Sequence, residues 1–443
     1  MLTVFIAIVM AVLDGAIANV ALPTIAHDVG ARPEDAIWVV NAYQLAVTMT
    51  LLPLASAGEI IGYRRVYGVG LALFTIASLC CALSSSLLTL TAARVLQGLG
   101  AAGIMSMNAA LVRFIYPQRM LGRALGYNAM VVAIASAIGP SVAAAILSVA
   151  AWPWLFAINV PLGIVALVIA FPSLPRTPLS GRRFDTRSAV LSALAFGLLI
   201  IGVSSLAHPA DRSWAALELV GAVAAGAALV RREWPRSSPL LPVDLLRIPI
   251  FRLSIGTSIG SFCAQMMAFV ALPFWLQDVL GRSEVATGLL ITPWPLAVAV
   301  AAPLAGRLVE RYPAGLLGGI GLATLCAGLL LIATLPAHPS DLAIVWRMAL
   351  CGFGFGLFQT PNNRAMVGSA PRERSGGASG MLSTARLLGQ TLGASLVAVT
   401  FGVSLARGST LALLIASGCA GAACVVSCLR LTPSARAPRR KRA

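Results

Sequence analysis

The stretch "LDGAIANVALP", residues 13–23, places a carboxylate, Asp14, inside an apolar run that begins at Met1. A second charge, Arg94, stands in "RVLQG" (94–98) inside another apolar run, with Gln97 one helical turn further on and so on the same face. Either charge alone at mid-bilayer depth costs about 2.5–3.5 kcal/mol even on the mildest insertion scales, and pairing is the usual escape. An acid placed this way has two usable states, charged beside a base and neutral once the two separate. This is the chemistry of taking up and releasing a proton. Bond-breaking chemistry has no support: the chain contains no HExxH, no GxSxG and no Walker-type loop. The eight cysteines have no metal-ligand spacing, and His27, His208 and His338 are scattered singly. No catalytic residue, metal or cofactor is therefore expected, and the chain is not read as an enzyme.

The elements that must hold these residues are membrane spans. The chain has 443 residues, 58% of them hydrophobic and only 11% charged, with a mean hydropathy of +0.89. A soluble domain would carry about 25% charged residues. The apolar runs are long enough to cross a hydrocarbon core of about 30 Å as helices. They predict fourteen spans, at 2–22, 38–57, 66–86, 87–115, 122–148, 152–172, 188–206, 213–230, 250–275, 286–306, 314–335, 342–362, 378–402 and 409–429. With the N-terminus inside, only Arg32, Arg212, Arg282 and Arg407 fall on outside loops, and Arg94, Arg347 and Arg386 lie deep in spans. The remaining basic residues, among them Arg119, Arg123, Arg182, Arg183, Arg372, Arg374 and the terminal "RRKR", fall at the inside surface. This bias predicts a multi-pass protein with both ends cytoplasmic. It also explains the net charge of +17 without nucleic acid, the tail serving as an anchor to anionic lipid. At 1.5 Å per residue, Asp14 and Arg94 both come to lie roughly 10–12 Å below the outer edge, so the acid and the base can meet.

The spans repeat. "PLASAGEIIGYRR" (53–65) is echoed by "PLAGRLVERYP" (303–313) and "RVLQGLGAA" by "RMALCGFGFG" from Arg347, while Gly122, Gly126 and Gly139 recur as Gly376, Gly380 and Gly393. The nearly constant offset exceeds one six-span unit by two helices. The expected architecture is therefore all-α, 6+2+6, with two pseudo-symmetric six-helix bundles. Residues 1–175 form the N-terminal bundle, 176–247 a two-helix insert with cytoplasmic linkers, 248–430 the C-terminal bundle and 431–443 a basic cytoplasmic tail. Two related bundles with kinked helices are the layout of a rocking transporter with its site between the halves near the bilayer midplane.

Further motifs fit this plan. In "GEIIGYRR" (58–65), Gly58 and Gly62 permit close helix approach, and Glu59 stands ready to pair with Arg64, Arg65 or a neighbouring helix end. Gly139-Pro140 puts a kink inside the fifth span. "WPWLFAINVPLG" (152–163) opens the sixth with interfacial tryptophans. As a set these stretches resemble the major facilitator superfamily, and within it the fourteen-span drug:proton antiporters. Asp14, Asn19 and Pro23 match that family's first-span signature, Gly58 to Arg65 its gating loop, Arg94, Gln97 and Gly98 its fourth-span motif, and Gly139-Pro140 its antiporter motif. Phe156, Asn159, Pro161 and Gly163 match the start of the sixth span. The chain departs from the pattern at Glu59-Ile60, where the family carries aspartate then arginine, and at Ala143-Ala144, where it carries two glycines.

The resemblance implies a major facilitator fold in a bacterial cytoplasmic membrane and a monomer that exports small amphipathic, cationic compounds in exchange for protons, with Asp14 and Arg94 in the coupling. Polar residues available to a cavity are Asn19, Asn41, Gln44, Gln97, Gln265, Gln359 and Asn362, with Met266, Met267 and Phe269 as an adaptable apolar wall. The alternative is a dedicated exporter of a single metabolite or antibiotic, possibly anionic, to which Arg347 and Arg386 would be suited.

Overall fold

In the computed structural model, the structure describes residues 2–115, 121–175, 179, 184–235, 242–371, 374–404 and 407–431. The basic tail beyond 431 lies outside the described residues, as do Arg119, Arg182, Arg183 and Arg372. Apolar composition makes nearly every described segment a helix, because a backbone in lipid must satisfy its own hydrogen bonds. The helices are α1 (Leu2–Asp28), α2 (Pro33–Ala36), α3 (Trp38–Ile61), α4 (Tyr63–Ala82), α5 (Leu87–Ile115), α6 (Leu121–Leu147), α7 (Pro153–Ala157), α8 (Asn159–Ser173), α9 (Thr186–Ser205) and α10 (Arg212–Glu233). They continue as α11 (Pro249–Phe274), α12 (Glu284–Ile291), α13 (Pro293–Leu308), α14 (Ala314–Ala333), α15 (Asp341–Ser369), α16 (Ser375–Val403) and α17 (Gly408–Leu429). Among the described residues, thirteen helical stretches are long and apolar enough to cross a membrane. The run expected at 122–148 falls on α6, whose described apolar stretch, Ile138–Leu147, is shorter.

Side-chain caps mark several starts. Ser283 and Ser340 accept from the backbone N–H of Ala286 and Ala343, and Asp185 caps α9 by accepting from that of Ser188. Asp185 also pairs with Arg232 at 3.1 Å, which joins the start of α9 to the end of α10. Pro273 leads into a π-helical turn, Trp275–Val279, that extends α11.

Packing divides the chain into two compact units. One comprises Met1–Arg232, Phe269–Thr292 and Ala394–Ser409; the other comprises Glu233–Ala268, Pro293–Gly393 and Thr410–Ala443. Within the first, α4 lies against α5 so closely that a Cβ at Gly100 would stand 2.7 Å from the Gly70 carbonyl oxygen. Within the second, α14 meets α15 in the same way: a Cβ at Gly354 would stand 2.6 Å from the Gly321 carbonyl oxygen. Gly98 against the Tyr43 carbonyl and Gly352 against the Trp294 carbonyl form a further matched pair. The small residues that let membrane helices touch thus recur at corresponding places in the two parts of the sequence.

The first unit includes segments from far along the chain. The hydroxyl of Thr24 donates to Glu284 at 2.6 Å, and Gln277 donates to the Val20 carbonyl at 3.1 Å. A Cβ on Gly288 would stand 2.7 Å from the Pro140 carbonyl oxygen. The amide of Asn41 donates to Ser395 Oγ at 3.1 Å, and Ser204 of α9 lies 3.0 Å from the same oxygen.

Candidate functional site

The site is assembled from six helices around one carboxylate. From α1 comes Asp14, 2% exposed, and from α5 come Arg94 and Gln97, both with no exposure. The Nη1 of Arg94 donates to Asp14 Oδ2 and, at 2.6 Å, to Gln97 Oε1. Its Nε donates to the Val39 carbonyl of α3 at 2.8 Å, while Nη2 has no acceptor among the described residues. The guanidinium stands 4.3 Å from the centre of the Tyr43 ring and 5.5 Å from that of Phe156, where a cation is attracted to the ring faces. Tyr43 is fixed in turn by its hydroxyl, which donates to the Ala11 carbonyl at 2.9 Å.

The other carboxylate oxygen, Oδ1, accepts from Gln97 Nε2 at 2.8 Å and from Asn159 Nδ2 of α8 at 2.9 Å. Gln97 Nε2 also donates to Ser78 Oγ of α4 at 2.9 Å, and Ser78 donates to the Phe74 carbonyl at 2.7 Å. The charges cancel, and three hydrogen bonds hold the carboxylate. A pair this well satisfied can persist out of water; one partner without the other would leave a lone buried charge. Chemically, the arrangement holds one ionisable carboxyl out of water against a cation, an acid whose charge depends on that partner.

Sequence reasoning brought Asp14, Arg94 and Gln97 together on depth and helix face, and they do meet. It missed Ser78 entirely. It noted Asn159 only as a motif match, although the 152, 156, 159, 163 spacing of one helical face was there to find. Gly139 and Pro140 are buried in α6: a Cβ at Gly139 would stand 2.5 Å from that of Ala16 on α1, so the motif sits against the helix that carries Asp14. Gly58 is buried against Met107, and Gly62 takes φ +101°, a conformation suited to glycine, at the joint between α3 and α4. Arg64 donates to the Phe171 carbonyl. Glu59 is exposed and makes no ion pair among the described residues, so the pairing anticipated with Arg64 or Arg65 does not form; at an exposed helix end such a pair would gain little.

The polar residues assigned to a cavity belong to both units. Asn19, Asn41 and Gln44 are buried on α1 and α3, with Asn41 bound to Ser395. Gln265 of α11 and Gln359 of α15 are half-buried. Asn362 is buried: its amide donates to Ser258 Oγ at 2.8 Å, and its oxygen accepts from Arg430 at 2.7 Å. Arg430 also donates to Ser254 at 3.1 Å, so this cluster ties α11, α15 and the end of α17 together.

Residues 4–394 match the family described as Major Facilitator Superfamily. The chain is 58% identical over 439 residues to the Escherichia coli protein named "Uncharacterized transporter YebQ", covering 98% of this chain and 96% of YebQ. It is 32% identical over 387 residues to "Multidrug resistance protein Stp" of Mycobacterium tuberculosis, covering 87% of this chain and 72% of Stp. Among solved structures it resembles that of a POT family transporter in complex with 5-aminolevulinic acid, with a TM-score of 0.71 at 15% identity over 98% of this chain and 96% of that one. At that identity the likeness is one of fold.

Proposed function

We propose that this chain, which belongs to the Major Facilitator Superfamily and is thus a multi-pass membrane transporter rather than an enzyme, exports amphipathic cations in exchange for protons. The observation that carries this reading is the buried Asp14–Arg94 pair. Separated from Arg94 in an apolar core, a carboxylate is disfavoured relative to the neutral acid, so helix movement and proton uptake are linked. A cationic substrate near the same carboxylate favours its charged form. Substrate and proton then compete for one charge, and the competition is reciprocal. The relative named for multidrug resistance supports the substrate class.

On this reading the fold has fourteen spans in a 6+2+6 arrangement, acts as a monomer in a bacterial cytoplasmic membrane with both ends inside, and has only the bilayer, protons and small substrates as partners. The positive-inside bias of the loops supports the orientation. A second reading, export of a single anionic compound, is favoured by Arg386, whose buried Nε has no hydrogen-bond partner among the described residues. The test is exchange in liposomes holding the purified protein. An imposed pH gradient should drive movement of the amphipathic cation ethidium, a protonophore should abolish it, and Asp14→Asn should lose it while remaining folded. Parental exchange by Asp14→Asn would refute the assignment; movement of organic anions but not of ethidium would favour the second reading.

A further inference from the structure

The start of the sixth span turns one face onto the charged pair. Trp152, Phe156, Asn159 and Gly163 are spaced four, three and four residues apart, which is the spacing of a single helical face. Trp152 meets Phe156 edge to face at 6.2 Å, and Phe156 covers the Arg94 guanidinium. Asn159 holds Asp14. At Gly163 a Cβ would lie 2.9 Å from Thr75 Cγ2 of α4, so the glycine lets α8 come close enough for Asn159 to reach.

An ionised carboxylate has about four lone-pair sites, two on each oxygen. On Asp14, Gln97 and Asn159 fill both sites of Oδ1, and Arg94 takes one on Oδ2. Among the described residues, the one lone-pair site that no donor meets is on Oδ2, beside Arg94. We propose that Asn159 is a positioning residue for proton exchange: together with Gln97 it blocks Oδ1, so that the incoming proton and Arg94 contend for the same oxygen. The inference rests on Asp14 being the coupling acid. The proton comes from water, adds to a lone pair of Oδ2 and takes the pair from net zero to +1; no bond between heavy atoms changes. Without Asn159, Oδ1 offers a second site remote from Arg94. A proton taken there leaves the Arg94 bond in place, so it crosses without driving the movement that carries substrate.

The experiment uses the full-length protein with two readouts. The first is the pH titration of the carboxylic-acid carbonyl band in infrared difference spectra, assigned to Asp14 by its loss in Asp14→Asn. The second is the number of protons moved per ethidium in liposomes. Asn159→Leu should change the pH dependence of the band, because a hydrogen bond to the anion is withdrawn, and should raise the proton count per ethidium. Asn159→Gln, which keeps the donor, should recover part of both. Should Asn159→Leu not fold, Asn159→Ser, too short to reach Asp14, carries the same expectations. An unchanged midpoint and ratio in the donorless variant would make Asn159 a packing residue only and overturn the proposal. Retention of band and exchange by Asp14→Asn would instead overturn the assignment of Asp14, so the two failures are distinguishable.

Discussion

Replacing the two charges one at a time and then together measures how far each depends on the other. Arg94→Leu removes the bonds to Asp14, Gln97 and the Val39 carbonyl and the stacking on Tyr43. It leaves a carboxylate, 2% exposed, with amide donors alone. Removing one partner of a buried pair costs about 3–5 kcal/mol. Asp14→Asn is milder, because an oxygen remains to accept from Arg94 and only the charge assistance is lost, about 1–2 kcal/mol. The double variant has no buried charge at the site, and exchange of a whole buried pair for neutral groups is often close to neutral. It should cost no more than about 2 kcal/mol, which leaves a coupling energy of about 2–5 kcal/mol against the roughly 0.5 kcal/mol expected of independent sites. The assay is reversible unfolding of purified protein in mixed micelles of fixed composition, followed by circular dichroism. Additivity of the two single changes within about 0.5 kcal/mol would refute the pair as an energetic unit.

Three further predictions follow from the packing. Gly100→Leu should prevent α4 from seating on α5 and abolish the monodisperse folded protein on size-exclusion chromatography, because its side chain would meet backbone at Gly70. Gly68→Ala, with nothing within 4 Å, should be neutral or stabilising by up to about 1 kcal/mol. Ser204→Ala removes a buried hydroxyl bond between α9 and α16 and should lower stability by about 1 kcal/mol. It should not alter which compounds are transported, since 188–230 is read as a brace rather than a cavity wall; loss of one substrate alone in an efflux panel would overturn that reading.

What could be read from the sequence and what could not divides along the cost of desolvation. Asp14 and Arg94 were legible because a charge in an apolar run is too expensive to stand alone; its presence demands a partner, and helical rise narrows the search for one. Gln97 came with Arg94 through their shared face. An amide or a hydroxyl makes no such demand, since it costs far less to bury and can be satisfied by a nearby carbonyl. Ser78 and Asn159 therefore left no comparable trace, although their bonds to Gln97 and Asp14 complete the site. The same asymmetry explains why the sequence did not show that Asn362 accepts from Arg430, just past the end of α17. The glycine repeat is the converse case. Backbone-to-backbone approach admits no side chain, so the offset of Gly98 and Gly100 from Gly352 and Gly354 marks paired helix contacts even where the surrounding residues have diverged. Steric exclusion and buried charge permit few solutions and so write themselves into a sequence; neutral hydrogen bonds permit many, and the fold alone decides which of them form.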